Sequence, residues 1–375
     1  MKLRPASFDD YAAIAALANR YGLVMKAHEG WLDLWRRNPA FPSTAPDVWP
    51  IGWVLVDAAG QIVGYLGNIP LAYVYKGRRL LAAATHAWVV ETAARHASLL
   101  LLRAFLGQKK VDLLLCTTAN PMSSRIFDAA KIPRMPVAGY DVSLYWITRH
   151  AGLLSSFLQK RGGLGAGYMG GLLRPLGALL DQASRVRRAW RYDTSRLSFL
   201  DSFDDGFDVF WEQLRTSCNC LLAVRDGAAL SWRFRDALAQ GHAWVLARRS
   251  QGTLNAYAIF LRQDNPAYRL TRMRLLDYQS VTEDPAVLAG FVTAALRRCH
   301  AEGIHLLESV GFTPELRRQL LDMGARERAL PSWMFYYKAN HSELVSDLIH
   351  PSAWYPSFYD GDGSIMEITN AIPSA

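Results

Sequence analysis

The stretch His86-Ala-Trp-Val-Val-Glu-Thr-Ala-Ala-Arg95-His-Ala-Ser98-Leu-Leu100 decides how this chain is read. It is either a strand-to-helix turn whose backbone N–H groups meet a pyrophosphate, or a buried strand running into a leucine helix. The flanking residues set the context. Leu81 to Val90 reads as a strand, Ser98 to Leu106 as a helix, Val111 to Thr117 as a fully buried strand and Pro121 to Ala130 as a helix.

Upstream, residues 2 to 5 form a short expected strand. Phe8-Asp-Asp starts an amphipathic helix with Tyr11, Ile14, Leu17 and Ala18 at helical spacing and Asp9 or Asp10 as its cap. Gly52 to Ile69 is two apolar runs around Asp57-Ala-Ala-Gly60, the signal of a hairpin, and Leu71 to Tyr75 adds an antiparallel partner. The order is thus an antiparallel meander followed by βαβ. Tyr140 to Ile147 is expected to close this half as its last strand.

Residues 149–196 break the periodicity with Gly162-Gly-Leu-Gly-Ala-Gly and carry Arg185, Arg187, Arg188, Arg191 and Arg196. They are expected to be a basic helical linker that presents a solvated positive face, with peripheral membrane or nucleic-acid docking as the minor reading. From residue 197 the same elements recur: a helix at Asp208, a hairpin over Ala243 to Leu261, a strand at Arg272, a helix at Pro285, a strand at Ile304 and a helix at Pro314. This suggests an internal duplication. The expected domains are 1–148, a linker 149–196, a degenerate second copy 197–345, and a tail 346–375.

Composition bounds the rest. Across 375 residues, 51% are hydrophobic and 20% charged, which is the balance of ordered globular domains, and the length suits two of them. A net charge of +9 favours anionic partners without naming one. The cysteines Cys116, Cys218, Cys220 and Cys299 build neither a disulfide framework nor a zinc site, so reduced thiols and a cytoplasmic location are expected. Asp9 and Asp10 sit where a signal peptide needs apolar residues, and no apolar run approaches the length of a bilayer span. Asp360-Gly-Asp-Gly reads as a turn, since the remaining ligands of a calcium loop are missing, and no metal is assigned.

Meander, strand, turn, helix, strand, helix resembles the GNAT acyltransferase superfamily over residues 1–147, with a weaker second copy over 197–340. The resemblance implies an α/β fold of two GNAT-like domains, each a twisted, mostly antiparallel mixed sheet flanked by helices. In that family a valine-led strand end precedes an R/Q-x-x-G-x-G/A turn that binds the pyrophosphate of coenzyme A. Val90 and Arg95 match its first marks, while Ser98 and Leu100 stand at the glycine positions. Val90, Arg95, His96, Ala97, Ser98, Leu99 and Leu100 are accordingly the expected cofactor turn, with Arg103, Lys109 and Lys110 as further phosphate charge. Asn120 and Ser123 resemble the family's N-x-x-A segment, with Phe127 where a thiolate-protonating Tyr would stand. Tyr65, Tyr140 and Tyr145 are weak substitutes for it.

His86, four residues before Val90, resembles the catalytic histidine of arylalkylamine-type members and is the leading base, with Glu91 as runner-up. The second copy lacks the turn and the Asn, which leaves it a structural or acceptor-binding part. Trp232, Arg233, Phe234, Arg235, Trp333, Tyr336 and Tyr337 are candidates to line an acceptor cleft. The resemblance implies an N-acyltransferase that moves an acetyl or other acyl group from acetyl-CoA or another acyl-CoA to a small-molecule amine held in the groove between domains. No specific nucleic acid is expected, and the sequence does not decide the oligomeric state. The alternative is a non-catalytic scaffold or acyl-CoA-binding module.

Overall fold

A computed structural model of the chain describes residues 1–41, 49–160, 192–330 and 333–365. It divides into two compact units. The first takes Met1–Asp141, Trp211–Arg233 and Leu330–Ala375, and the second Val142–Phe210 and Phe234–Ala329.

The first unit is built on β1 (Lys2–Pro5), β2 (Gly52–Val56), β3 (Ile62–Tyr75), β4 (Arg78–Val90), β5 (Leu113–Ala119) and β14 (Met334–Ala339), in that spatial order, with β8 (Leu222–Ala223) also on β3. Every neighbouring pair is antiparallel except β4 with β5. The turns follow from local chemistry. Asp57 Oδ1 accepts the N–H groups of Ala59 (2.9 Å) and Gln61 (2.8 Å), closing the β2–β3 turn. Lys76 and Gly77, at φ 48° and 76°, make the two-residue turn that joins β3 to β4. The helices Tyr11–Arg20 and His28–Arg36 bury Ile14, Leu17, Trp31 and Trp35. The helix Ser98–Leu106 buries Leu101, Leu102 and Phe105, and Leu99 and Leu100 are left outside.

The second unit orders its sheet as β13 (Arg326–Ala329), β6 (Val142–Ile147), β12 (Leu306–Ser309), β11 (Arg272–Ser280), β10 (Thr253–Arg262), β9 (Ala243–Ser250) and β7 (Leu197–Leu200). The series β7-β9-β10-β11-β12 repeats β1-β2-β3-β4-β5 in order and sense, with one parallel pair, β11 with β12. A helix precedes the last strand in each series, Ser98–Leu106 in one and Pro285–Ala301 in the other. Each series also carries a register shift, between Tyr65 and Gly67 and between Ile259 and Phe260. The second core gathers Trp146, Phe260, Leu275, Phe291, Val292 and Leu307.

Two segments lie elsewhere than the sequence suggests. Strand β6, expected to close the first half, pairs with β12 in the second sheet, and β14, from the end of the second half, pairs with β5 in the first. Both are short strands buried on both faces, so their alternation names no particular edge and long-range packing selects the partner. The expected tail is also not an appendage as far as it is described. Trp354, Phe358 and Tyr359 are buried in the first unit, with Tyr359 OH donating to Val224 O at 2.8 Å. In the expected linker, His150–Lys160 is helical, and the arginines from Arg185 to Arg191 lie outside the described residues.

The expectation of four reduced thiols is also corrected. Cys218 and Cys220 form a disulfide, their Cα atoms 5.4 Å apart and so within bonding reach, while Cys116 and Cys299 are free and buried.

Candidate active site

The parallel ladder between β4 and β5 is short. It runs from Ala82↔Leu113 to Ala84↔Leu115 and stops, although β4 continues to Val90 and β5 to Ala119. Each strand is held from its outer side. β3 follows β4 to Val90 through a bulge at which Ala87 takes a φ of 52°, and β14 follows β5 to Ala119. The strands therefore part, leaving backbone groups of their inner edges without a ladder partner among the described residues. Trp88 and Phe127 meet edge to face at 6.0 Å beside this opening, and Phe127 stacks on Tyr336 at 4.8 Å.

His86 sits on β4 just before the bulge and is 8% exposed. Its Nδ1 is buried, has no hydrogen-bond partner among the described residues and lies 3.5 Å from Oδ2 of Asp362. Asp362 belongs to the segment expected as a tail and is itself 3% exposed. Its Oδ1 accepts the hydroxyls of Thr117 (3.2 Å) and Thr118 (3.0 Å) at the free end of β5. Asp360 has other partners, the N–H of Ser357 at 2.9 Å and Tyr73 OH at 3.2 Å. Arg233 braces the same loop, donating to Gly361 O at 3.1 Å and to Ser364 Oγ, with its guanidinium 4.2 Å above the Tyr359 ring. Sequence reasoning singled out His86 as a candidate. It missed Asp362, Thr117 and Thr118 as its surroundings, and the paired acids of Asp360-Gly-Asp-Gly were the only signal.

The expected cofactor turn has a different local form. Thr92–Ala97, including Arg95, His96 and Ala97, is a 3-10 helix that runs directly into Ser98–Leu106. The N–H of Ala94 bonds Glu91 O, that of Ser98 bonds Arg95 O, and that of Thr92 bonds Tyr21 OH at 2.9 Å. With no glycine to hold the backbone open, these donors turn inward. Arg95 and His96 are exposed, Ser98 is half-buried, and Leu99 and Leu100 are 48% and 38% exposed. Val90 ends β4 opposite Gly64.

Glu91, the runner-up base, is ion-paired with Arg20 instead of meeting His86. Asn120 is the cap of the helix Pro121–Ala129, its Oδ1 accepting the N–H groups of Met122 (3.0 Å) and Ser123 (2.9 Å), and Ser123 Oγ returns to Asn120 O at 3.1 Å. The structure thus brings His86 to the opening and gives Glu91, Asn120 and Ser123 local partners.

The substitute acids are also placed. Tyr65 is fully buried, and burial pushes its phenol well above the ordinary range. Tyr140 is raised in the same way, first by burial and then by the Asp360 and Asp362 charges. Tyr145 lies on β6 in the second sheet. Burial lifts the Cys116 thiol to about 12, which leaves it unreactive. Phe234, Trp333, Tyr336 and Tyr337, expected to line an acceptor cleft, are core residues at 0 to 8% exposure, and Trp232 Nε1 donates to Asp33 O at 2.9 Å.

The second unit holds a different polar centre. Glu308, fully buried, meets Arg274 at 2.9 Å, Arg272 at 3.3 Å and Arg328. Burial opposes its charge, but the three guanidiniums outweigh it and hold the carboxyl at about 2. This is a structural ion cluster. Among the described residues no helix is long and apolar enough to cross a membrane.

No protein-family model and no curated protein matches this sequence. Solved structures do resemble the fold. Saccharomyces cerevisiae N-myristoyltransferase with bound myristoyl-CoA is similar at a TM-score of 0.55 and 11% identity, over 90% of this chain and 78% of that one. A GCN5-related N-acetyltransferase from Anabaena variabilis is similar at 0.53 and 12%, over 91% and 73%. A protein of Enterococcus faecalis described as a probable N-acyltransferase is similar at 0.55 and 11%, over 93% and 73%. With its two mixed, mostly antiparallel sheets of matching strand order, this chain has the tandem GNAT fold of N-myristoyltransferase and the GNAT N-acyltransferases.

Proposed function

We propose that the protein is an N-acyltransferase that takes its acyl group from an acyl-CoA and passes it to a small-molecule amine. The observation that carries this is the parting of β4 and β5 with His86 at its edge. An extended, amide-bearing arm can pair with the free inner edge of β4 as an added strand would, which lays a thioester along the strand end near His86. Arg95 and His96, exposed at the start of the helical turn, supply charge for the phosphates. The 3-10 form of that turn offers few open N–H groups, so side-chain charge does more of the phosphate binding here.

In the reaction the amine nitrogen attacks the thioester carbonyl carbon, the C–S bond breaks, and the amine proton passes to the imidazole of His86. The thiolate leaves without a tyrosine donor at position 127. Phe127 and the closed turn favour one second reading, a module that binds acyl-CoA without turnover.

The test is calorimetric titration of acetyl-CoA and myristoyl-CoA into wild type and Arg95→Ala, followed by thiol-release assays over a panel of amines with wild type and His86→Ala. Binding weakened by Arg95→Ala and turnover abolished by His86→Ala is the expected result. Binding without turnover supports the module, and no binding of either acyl-CoA by wild type rejects both readings.

A further inference from the structure

We propose that Asp362, delivered from the last described segment of the chain, is the positioning residue that sets the tautomer of His86 and meets the imidazolium as it forms. The proposal rests on the reading of His86 as the base.

Three observations carry it. His86 Nδ1 is buried without a hydrogen bond among the described residues, which is costly for a ring nitrogen unless a partner closes on it, and Asp362 Oδ2 is 3.5 Å away. Contacts of this kind are often long in an empty site and tighten when substrate is bound. Second, the carboxylate is already oriented. Thr117 and Thr118 hold Oδ1, which turns Oδ2 toward the imidazole. Third, the loop is shaped to bring it there. At Gly361 a Cβ would lie 2.2 Å from Thr117 Oγ1, and the residue takes a φ of +61°, so only glycine lets the chain pass this close to β5.

The other ionisable groups nearby have different work. Asp360 is bonded by Ser357 N and Tyr73 OH, Arg233 braces the loop backbone, and burial keeps the Tyr73, Tyr140 and Cys116 side chains protonated. Among the described residues, the Asp362 side chain, at 3% exposure, meets the two threonine hydroxyls and His86. A buried negative charge held only by neutral donors is unfavourable, and an imidazolium forming beside it relieves that. With the proton on Nδ1 donated to Oδ2, Nε2 keeps its lone pair for the amine proton. The amine proton moves to Nε2, the Nδ1 proton stays where it is, and Asp362 itself takes none.

The test uses the full chain labelled with 15N histidine, together with Asp362→Asn, Asp362→Glu and His86→Ala. Wild type is expected to show His86 as the Nδ1–H tautomer, and Asp362→Asn to move it toward Nε2–H. In acyl transfer, Asp362→Asn is expected to lower kcat about 100-fold or more with KM for acyl-CoA within about twofold, and Asp362→Glu to recover part of the loss. An Nε2–H tautomer in wild type overturns the proposal, and so does full kcat in Asp362→Asn when His86→Ala is inactive. Full kcat in His86→Ala overturns the base assignment and the pairing with it. The wild-type tautomer needs neither turnover nor a folded variant, so an Nδ1–H result in a protein without turnover supports the pairing and counts only against the enzyme reading.

Discussion

Gly361 passes over Thr117 so closely that a Cβ on the glycine would lie 2.2 Å from Thr117 Oγ1. Gly361→Ala therefore meets both a clash and a left-handed backbone. We expect a loss of about 2–4 kcal/mol, read as a lower denaturant midpoint, from strain and overpacking together. Because Asp362 follows directly, turnover should fall along with stability.

Glu91 and His86 separate cleanly. Glu91 is engaged by Arg20, which is 59% exposed, so Glu91→Gln removes a surface ion pair of the kind worth at most about 1 kcal/mol. Its kcat should stay within about twofold of wild type, whereas His86→Ala should lower kcat by about 100-fold or more. Steady-state kinetics of the two variants side by side checks this.

The Glu308 cluster predicts an acid limb to stability. Its carboxyl is lowered from 4.5 to about 2 in the folded chain. A depressed folded value means that the stabilisation is present above the unfolded value near 4.5 and is lost as pH falls from there toward 2. Glu308→Gln strands three guanidiniums without their counter-ion and should cost about 3–5 kcal/mol at neutral pH. The gap between variant and wild type should close as pH falls through that window, measured by urea unfolding.

Thiol chemistry gives a further check. Cys116 and Cys299 are buried, with Cys116 raised to about 12, and Cys218 and Cys220 are bonded to each other in a half-buried turn. A colorimetric thiol count on the native protein should find none reactive. After mild reduction it should find two, and unfolding under reducing conditions should expose the rest.

Phe127→Tyr tests whether the missing proton donor limits the reaction. Phe127 is 1% exposed and stacked on Tyr336, so a hydroxyl there has to be buried. We expect a cost of about 1–3 kcal/mol and no gain in kcat, read by thermal melts and thiol release.

Much of the fold is legible from neighbouring residues. Asp57-Ala-Ala-Gly60 names its turn, and most strands and helices of the first half follow from periodicity. Leu71 to Tyr75, expected as a further strand, is instead the continuation of β3, and the helix His28–Arg36 is not read from the pattern. Asn120-Pro121 is a helix cap in plain sight, although the family resemblance pointed to a cofactor contact at the same residue. The order of elements along the chain also carries the duplication that the two sheets repeat.

What the sequence determined by itself is therefore local and repetitive: two copies of one order of strands and helices, their turns and caps, and a histidine at a strand end. Tertiary structure alone decided that β6 and β14 each join the sheet of the other copy, that the turn after Val90 closes into a 3-10 helix, and that Asp362 comes to rest beside His86. The physical reason is range. Turns, caps and amphipathic faces are made by residues a few positions apart, so the pattern carries them. The choice of sheet edge, and the meeting of side chains from opposite parts of the chain, depends on burial summed over the whole core, which no short pattern records.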